Sequence, residues 1–310
     1  MTISYPKLTP ETLQTRLAHP KGTVRMVLDT DTFNEIDDQF AVVYAMRSPE
    51  RVRVEAFYAA PFHNELSDGP KDGMEKSYRE LEKIAGLLPE MADVPRFRGS
   101  ETYLPEAQSP VDSEAARDLV SRAMASREDD PLHVVAIGAI TNVASAILME
   151  PGIIRRIVVV WLGGHALHWP DTREFNMHQD RHAARVLLDS GVPLVLIPCM
   201  GVASHLATTL SEIREYVKLQ GAVGSYLYDT FEQCSPDHFA YSRVIWDIST
   251  IAYLVNEDWT PSELVPSPIL AEDGRWGPPN PDRHPIRCVR YVHRDGVFRD
   301  LFGKLGEPSR

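Results

Sequence analysis

This chain is poor in the features that mark several large classes of protein. It has 3 cysteines among 310 residues, Cys199, Cys234 and Cys288, widely spaced and without a CxxC pair. An odd, scattered set of thiols excludes a disulfide framework and offers no zinc or redox motif, so buried thiols in a reducing compartment are expected. No apolar run reaches the length that crosses a bilayer, and the opening "MTISYPKLTPETLQTRLAHP" lacks an apolar leader core. The expectation is a cytoplasmic protein with no membrane partner. Positive charge is scarce as well, with 32 Lys and Arg against 44 Asp and Glu, a formal net charge of −12. Binding a phosphate backbone draws on clustered Lys and Arg, so nucleic acid is excluded and a small molecule is expected instead. Gly163 and Gly164 stand outside any GxGxxG pattern, which removes a dinucleotide reading. Ser204 and His205 are adjacent in sequence, which does not make a nucleophile and its base.

What the chain does have is 43% apolar residues in a strongly alternating order. That is enough for one core, and residues 1–310 are read as a single unit, with 1–22 as an N-terminal extension and 261–310 as a hairpin or loop region. "TPETLQTRLA" is predicted to be a short helix with Thr9 as N-cap and Pro10 at its first position. "VRMVLDTD" reads as a buried strand delivering carboxylates at its end, and "DDQFAVVYAMRSP" as the helix after it. "VRVEAFYAA", "LHVVAIGA", "IRRIVVVWLGG" and "VPLVLIP" are further strands. "EKSYRELEKIAGLL", "TNVASAILME" and "DRHAARVLLDSG" are the helices that alternate with them, and Gly191 stops the last. Such alternation predicts an α/β fold, a mostly parallel central sheet flanked by helices. Beyond residue 205 the text turns helical, and beyond Pro261 it is rich in Pro and Gly before the strand-like "IRCVRYVH".

The densest chemistry lies in "LDTDTFNEIDDQFA", where Asp29, Asp31, Asp37 and Asp38 fall within ten positions and Glu35 adds a fifth carboxylate. Like charges so close must be neutralised or protonated. Open α/β sheets bind ligands beyond the carboxyl ends of their strands, which is where this cluster is placed. All its donors are oxygens, so the neutralising ion is expected to be hard, Ca²⁺ or Mg²⁺. An EF-hand loop fails here, because Phe33 and Asn34 occupy the positions of its third carboxylate and its glycine. A Mg²⁺-dependent phosphatase of the haloacid dehalogenase type is an alternative, with Asp29 as nucleophile in "DTDTF".

Four segments in order, spanning about residues 24 to 256, resemble the nucleoside hydrolase family of the inosine/uridine-preferring type. "LDTD…IDDQFA" is similar to its paired D-x-D and D-D, with five residues, Thr32 to Ile36, where the usual pattern has three. "VVAIGAITNVASAI" resembles its T-G-x-L-T-N-x-A segment, "WLGGHALHWPDTREFNMHQDRHAA" its G-G…A-E-F-N…D-P-E-A-A segment, and "VIWDISTIA" the place of its late His-Asp pair. The resemblance implies an open, Rossmann-like sheet and one Ca²⁺ that orients a water against the anomeric carbon of a ribonucleoside. It implies Asp31 as metal ligand and general base, with Asp38, Asp247 and the main-chain carbonyl of Ile137 as further ligands and Asp29 supporting them from behind. Asp37, Glu174 and Asn176 would contact ribose hydroxyls. It also implies a homo-oligomer, dimer or tetramer.

The departures leave the leaving-group acid open. His168 stands where the family has Asn, and Trp246 where it has His, an indole able to stack on a base. The family's Asn after the second strand has Asn64 or Asn34 as substitutes. Candidates for the acid or for a base contact are His63, His165, His168, His238 and Tyr241, with His165 and His168 first. A further possibility is that the fold survives as a non-catalytic ribose or nucleoside binder.

Overall fold

The computed structural model describes residues 3–306. Ten strands run in chain order: β1 Val24–Thr30, β2 Val52–Ala59, β3 Arg96–Arg98, β4 Leu132–Ala136, β5 Ile157–Leu162, β6 Leu194–Ile197, β7 Ala207–Thr208, β8 Arg243–Val244, β9 Ser262–Pro266 and β10 Pro285–Val289. Eight of them form one sheet in the order β3-β2-β1-β4-β5-β6-β10-β9. Every neighbouring pair is parallel except β9 with β10, which form an antiparallel hairpin at the edge. The remaining two, β7 and β8, make a small antiparallel ladder of their own.

The strands read as continuous apolar runs because both faces of the sheet are covered. Along β1, Met26 and Leu28 point into a core shared with Phe40, Ile248, Phe298 and Leu301, while Val27 points into a second core with Leu119, Ile147 and Leu187. Alternation of side chains along a strand produces this division. The chain leaves β1 outward to β2 and β3, then returns to β4 on the other side of β1. This reversal opens a crevice at the carboxyl ends of β1 and β4, the general ligand position of open α/β sheets.

The expected elements are present with shifted ends. Thr9 caps Pro10–Arg16 by accepting from the Thr12 N–H, and Ser113 caps Glu114–Ala125 by accepting from Ala116. Two elements differ from the sequence reading. The stretch after Pro95, to which the sequence reading assigns no element, begins with a three-residue strand, β3, too short to show any period. The tail 261–310 contains, besides its hairpin, a 13-residue helix, Arg294–Gly306. Its glycines mask a helical stripe, yet Val297, Phe298, Leu301 and Leu305 are buried, and that packing outweighs poor propensity. Among the described residues, no helix is long and apolar enough to cross a membrane.

Candidate active site

The acidic cluster takes shape where β1 ends. The Asn34 N–H donates to the Asp31 carbonyl at 2.7 Å, and Gln39 Nε2 donates to the Thr32 carbonyl at 2.7 Å, which fixes the enlarged Thr32–Ile36 loop. Helix Asp37–Met46 then starts with Asp37 and Asp38 in its first turn. A helix N-terminus favours negative charge there. Asp247 occupies the N-cap of helix Ile248–Val255, and Glu174 the N-cap of Phe175–Gln179, where it accepts from Asn176 and Met177. Three helix starts thus face one crevice.

They enclose a cavity of about 250 Å³. Asp31, Asn34, Glu35, Asp37, Asp38, Ile137, Glu174, Asn176 and Asp247 form its polar side, and Leu162, Phe175, Met200 and Trp246 supply apolar wall. Asp29, Asp31, Asp37, Asp38, Glu174 and Asp247 are all buried. Burial is the main force raising their pKa values, and the repulsion of neighbouring carboxylates adds to it at Asp31, Asp37 and Asp247. Burial takes Asp29 and Asp38 to about 7 and Glu174 to about 6, although hydrogen bonds pull each of the three downward.

The hydrogen bonds show which carboxylates are already committed. Asp38 Oδ1 accepts from the Thr30 hydroxyl at 2.5 Å, and Asp37 Oδ2 accepts the Trp246 N–H at 3.0 Å. Asp29 Oδ1 accepts from Asn142 Nδ2 at 2.7 Å, and Asp29 is not part of the cavity wall. Both oxygens of Asp31 are buried without a hydrogen-bond partner among the described residues. Gly138 allows this carboxylate its place, since a Cβ there would lie 3.0 Å from Asp31 Oδ1. One oxygen each from Asp37, Asp38 and Asp247 lies within 4.8 Å of the others. An oxygen-only group with orphaned carboxylate atoms beside it fits a hard divalent cation. The Cys199 thiol, in the same wall, is raised by burial and then by the Glu174 charge, and its soft sulfur is a poor match for a hard cation.

Of the residues singled out in sequence, Asp31, Asn34, Asp37, Asp38, Ile137, His165, Glu174, Asn176, Trp246 and Asp247 meet at this cavity. The tightest trio includes Asp37, which the resemblance places on the sugar, whereas Asp31 stands beside it. Ile137 lines the cavity, and its carbonyl accepts from Asn176 Nδ2 at 3.2 Å. Asn64 stands behind Asn34, donating to its Oδ1 at 2.7 Å.

Of the five candidates for the acid or a base contact, four are not in the cavity wall. His168 is exposed and packs edge-on against Trp169, because the chain leaves the crevice after His165. His63 is exposed, its main chain bonded on both sides to the Gln179 amide. His238 and Tyr241 line a separate surface depression with Thr209 and Arg214, and His238 Nε2 is bound to the Glu232 carbonyl. Only His165 of the five reaches the cavity; its Nδ1 accepts the Met200 N–H at 3.3 Å, which leaves the proton on Nε2. Burial lowers its pKa, so the ring is neutral. Sequence reasoning missed Leu162, Arg173, Phe175, Cys199 and Met200 as wall residues. Leu162 ends β5 and Cys199 and Met200 follow β6, so the rule that ligands bind at strand ends would have pointed to them.

The model of the inosine-uridine preferring nucleoside hydrolase family matches residues 26–275. A pyrimidine-specific ribonucleoside hydrolase, RihB, of Shigella flexneri serotype 5b is 28% identical over 163 residues, 50% of this chain and 51% of that protein. RihB of Escherichia coli O1:K1 is 27% identical over the same length and the same shares. The alignment therefore spans about half the length of these curated relatives. Among solved structures, the plant nucleoside hydrolase PpNRh1 superposes with a TM-score of 0.72 at 18% identity, covering 92% of this chain and 99% of that one. A purine-preferring ribonucleoside hydrolase from Gardnerella vaginalis does so at 0.72 and 19%, covering 91% and 98%. Likeness at that identity shows a shared fold, and the expected α/β sheet of this type is borne out. Because the family match runs from β1 past Asp247 and takes in every carboxylate of the cavity, the chain belongs to the inosine-uridine preferring nucleoside hydrolase family.

Proposed function

We propose that this protein hydrolyses the N-glycosidic bond of a ribonucleoside or a related N-ribosyl compound, releasing free sugar and base, with one Ca²⁺ as its cofactor. The observation that carries this reading is the buried carboxylate group at the β1/β4 crevice, with both Asp31 oxygens unpartnered inside the wall. Asp38, Asp247, Asp31 and the Ile137 carbonyl would hold the cation, joined by Asp37, whose oxygen is close enough to share it. When bound, Ca²⁺ supplies the positive charge that keeps these acids ionised and makes a nearby water more acidic.

The chain's own residues do the rest. Asp31, with no hydrogen bond to give up, accepts a proton from the attacking water at one Oδ. Cleavage passes through an oxocarbenium-like state, and the ring of carboxylates stabilises its positive charge. Glu174 and Asn176 are locked by backbone bonds and present their remaining polar edges to the ribose hydroxyls. Trp246, Phe175, Leu162 and Met200 exclude water and receive the leaving group. His165 offers Nε2–H as the leaving-group contact. The phosphatase alternative loses its nucleophile, since Asp29 lies outside the wall and is held by Asn142.

A reducing-sugar assay over purine and pyrimidine ribonucleosides, with Ca²⁺ and after chelation, tests the reading. Calcium-dependent release of ribose supports it, and Asp31→Ala should abolish that release with the fold intact. Ligand-induced stabilisation without any sugar released would instead identify a binder.

A further inference from the structure

Arg173 is the one Lys or Arg in the wall of a cavity otherwise lined by six carboxylates. Its position is built by a segment remote in sequence, the loop between β9 and β10. The Thr172 N–H donates to the Gly274 carbonyl at 2.8 Å, Arg173 Nε donates to the Asp273 carbonyl at 3.3 Å, and the Arg173 N–H donates to Asp171 Oδ1 at 3.1 Å. Gly274 has φ +77°, and a Cβ there would stand 2.8 Å from Arg173 Cγ, so the loop closes around the arginine stem only with glycine.

These contacts occupy Nε and leave the two Nη groups free. Glu174 and Glu35 of the same wall and Asp273 of the loop are engaged elsewhere: Glu174 by the backbone N–H groups of Gly164, Asn176 and Met177, Glu35 by Arg243 at 2.7 Å, and Asp273 by Arg275 at 3.8 Å. Among the described residues, no carboxylate pairs with Arg173. A guanidinium fixed through one edge, with its paired Nη donors open, matches a carboxylate or phosphate bidentately. A neutral nucleoside has no group that needs such a partner. An anionic one entering a cavity of carboxylates does.

We propose that this cavity selects N-ribosyl substrates that carry an anionic group, which Arg173 grips through its two Nη donors. The inference rests on the N-glycosidic reading above and narrows its substrate class. The anion has two sources of the same chemistry, a phosphate on the ribose 5′ oxygen or a carboxylate on the leaving base.

The test compares kcat/KM in Ca²⁺ for three probes, uridine, uridine 5′-monophosphate and 6-carboxyuridine, in the wild type, Arg173→Gln and Arg173→Lys. One of the two anionic probes should exceed uridine by about tenfold in the wild type, the reach of one charge-assisted contact at an exposed site. Which of them does so identifies the source. Arg173→Gln should erase that ratio through KM, Arg173→Lys should keep part of it, and added salt should shrink it in the wild type and the Lys variant but leave the Gln variant unmoved. A ratio at or below one, or one unmoved by Arg173→Gln, overturns the proposal while uridine hydrolysis keeps the nucleoside reading. Release of sugar from none of the three overturns both.

Discussion

Asn142 Nδ2 donates to Asp29 Oδ1 at 2.7 Å, and the same amide's Oδ1 accepts from both the N–H and the hydroxyl of Ser100. One side chain therefore ties β1 to the segment after β3, and among the described residues it is the only hydrogen-bond partner of a carboxylate whose other oxygen has none.

Asn142→Leu should accordingly destabilise the protein by about 1–3 kcal/mol, the cost of leaving a buried polar group unpaired. The loss should be greater at pH 8 than at pH 5.5, because Asp29, already at about 7, is neutral at the lower pH and needs no partner as an anion. Denaturant melts at the two pH values check this.

Cation affinity should rise with pH. Asp31, Asp37 and Asp247 are raised, and Asp38 stands at about 7, so protons must leave as the ion enters. The sign for the metal-free protein is opposite. Folded pKa values above the unfolded ones give stabilisation that is full below about pH 4 and is lost as pH rises through about 7. Calorimetry at pH 5.5, 6.5 and 7.5 in two buffers should show tighter Ca²⁺ binding and net proton release, and melts in chelator should fall over the same range.

Asp31→Asn should separate function from stability. Turnover should drop by at least about 100-fold, the lower range for loss of a general base. In chelator at pH 8 its melting temperature should exceed that of the wild type, because one of several mutually repelling buried charges is gone. A lower melting temperature there would show that Asp31 is not strained by its neighbours.

His165→Gln should discriminate among leaving groups. Nucleosides, whose base must be protonated or hydrogen-bonded to depart, should slow by about 100-fold, whereas p-nitrophenyl riboside, which leaves unaided, should change little. Equal losses on both substrates would make His165 a structural brace for Met200 rather than a leaving-group contact.

Much of this was legible from the chain alone, for physical reasons. β1 and helix Asp37–Met46 announce themselves because a strand buried on both faces is uniformly apolar and its acids come immediately after it. β3 has only three residues and shows no period, and helix Arg294–Gly306 is hidden by its glycines. Within the site, Asp31, Asp37 and Asp38 stand together in sequence, but Asp247 could be matched to them only through the resemblance. Arg173 was beyond reach, since its place depends on a loop from the β9/β10 hairpin. The histidines could not be told apart because sequence gives no direction to a side chain after a strand ends. His165 turns inward while His168, three residues on, faces solvent.

The bond from the Trp246 N–H to Asp37 Oδ2 spans 209 residues. During synthesis the first carboxylates emerge long before their partner, so a nascent chain carries an incomplete cluster until the ribosome passes Asp247. At the few to tens of residues added each second, that interval is on the order of ten seconds or more. Throughout it, Asp31, Asp37 and Asp38 are without Asp247, the carboxylate that completes their side of the cavity. On the proposed reading, a cation held by all of these carboxylates would be captured only by a completed chain, so its binding would also report that assembly is finished.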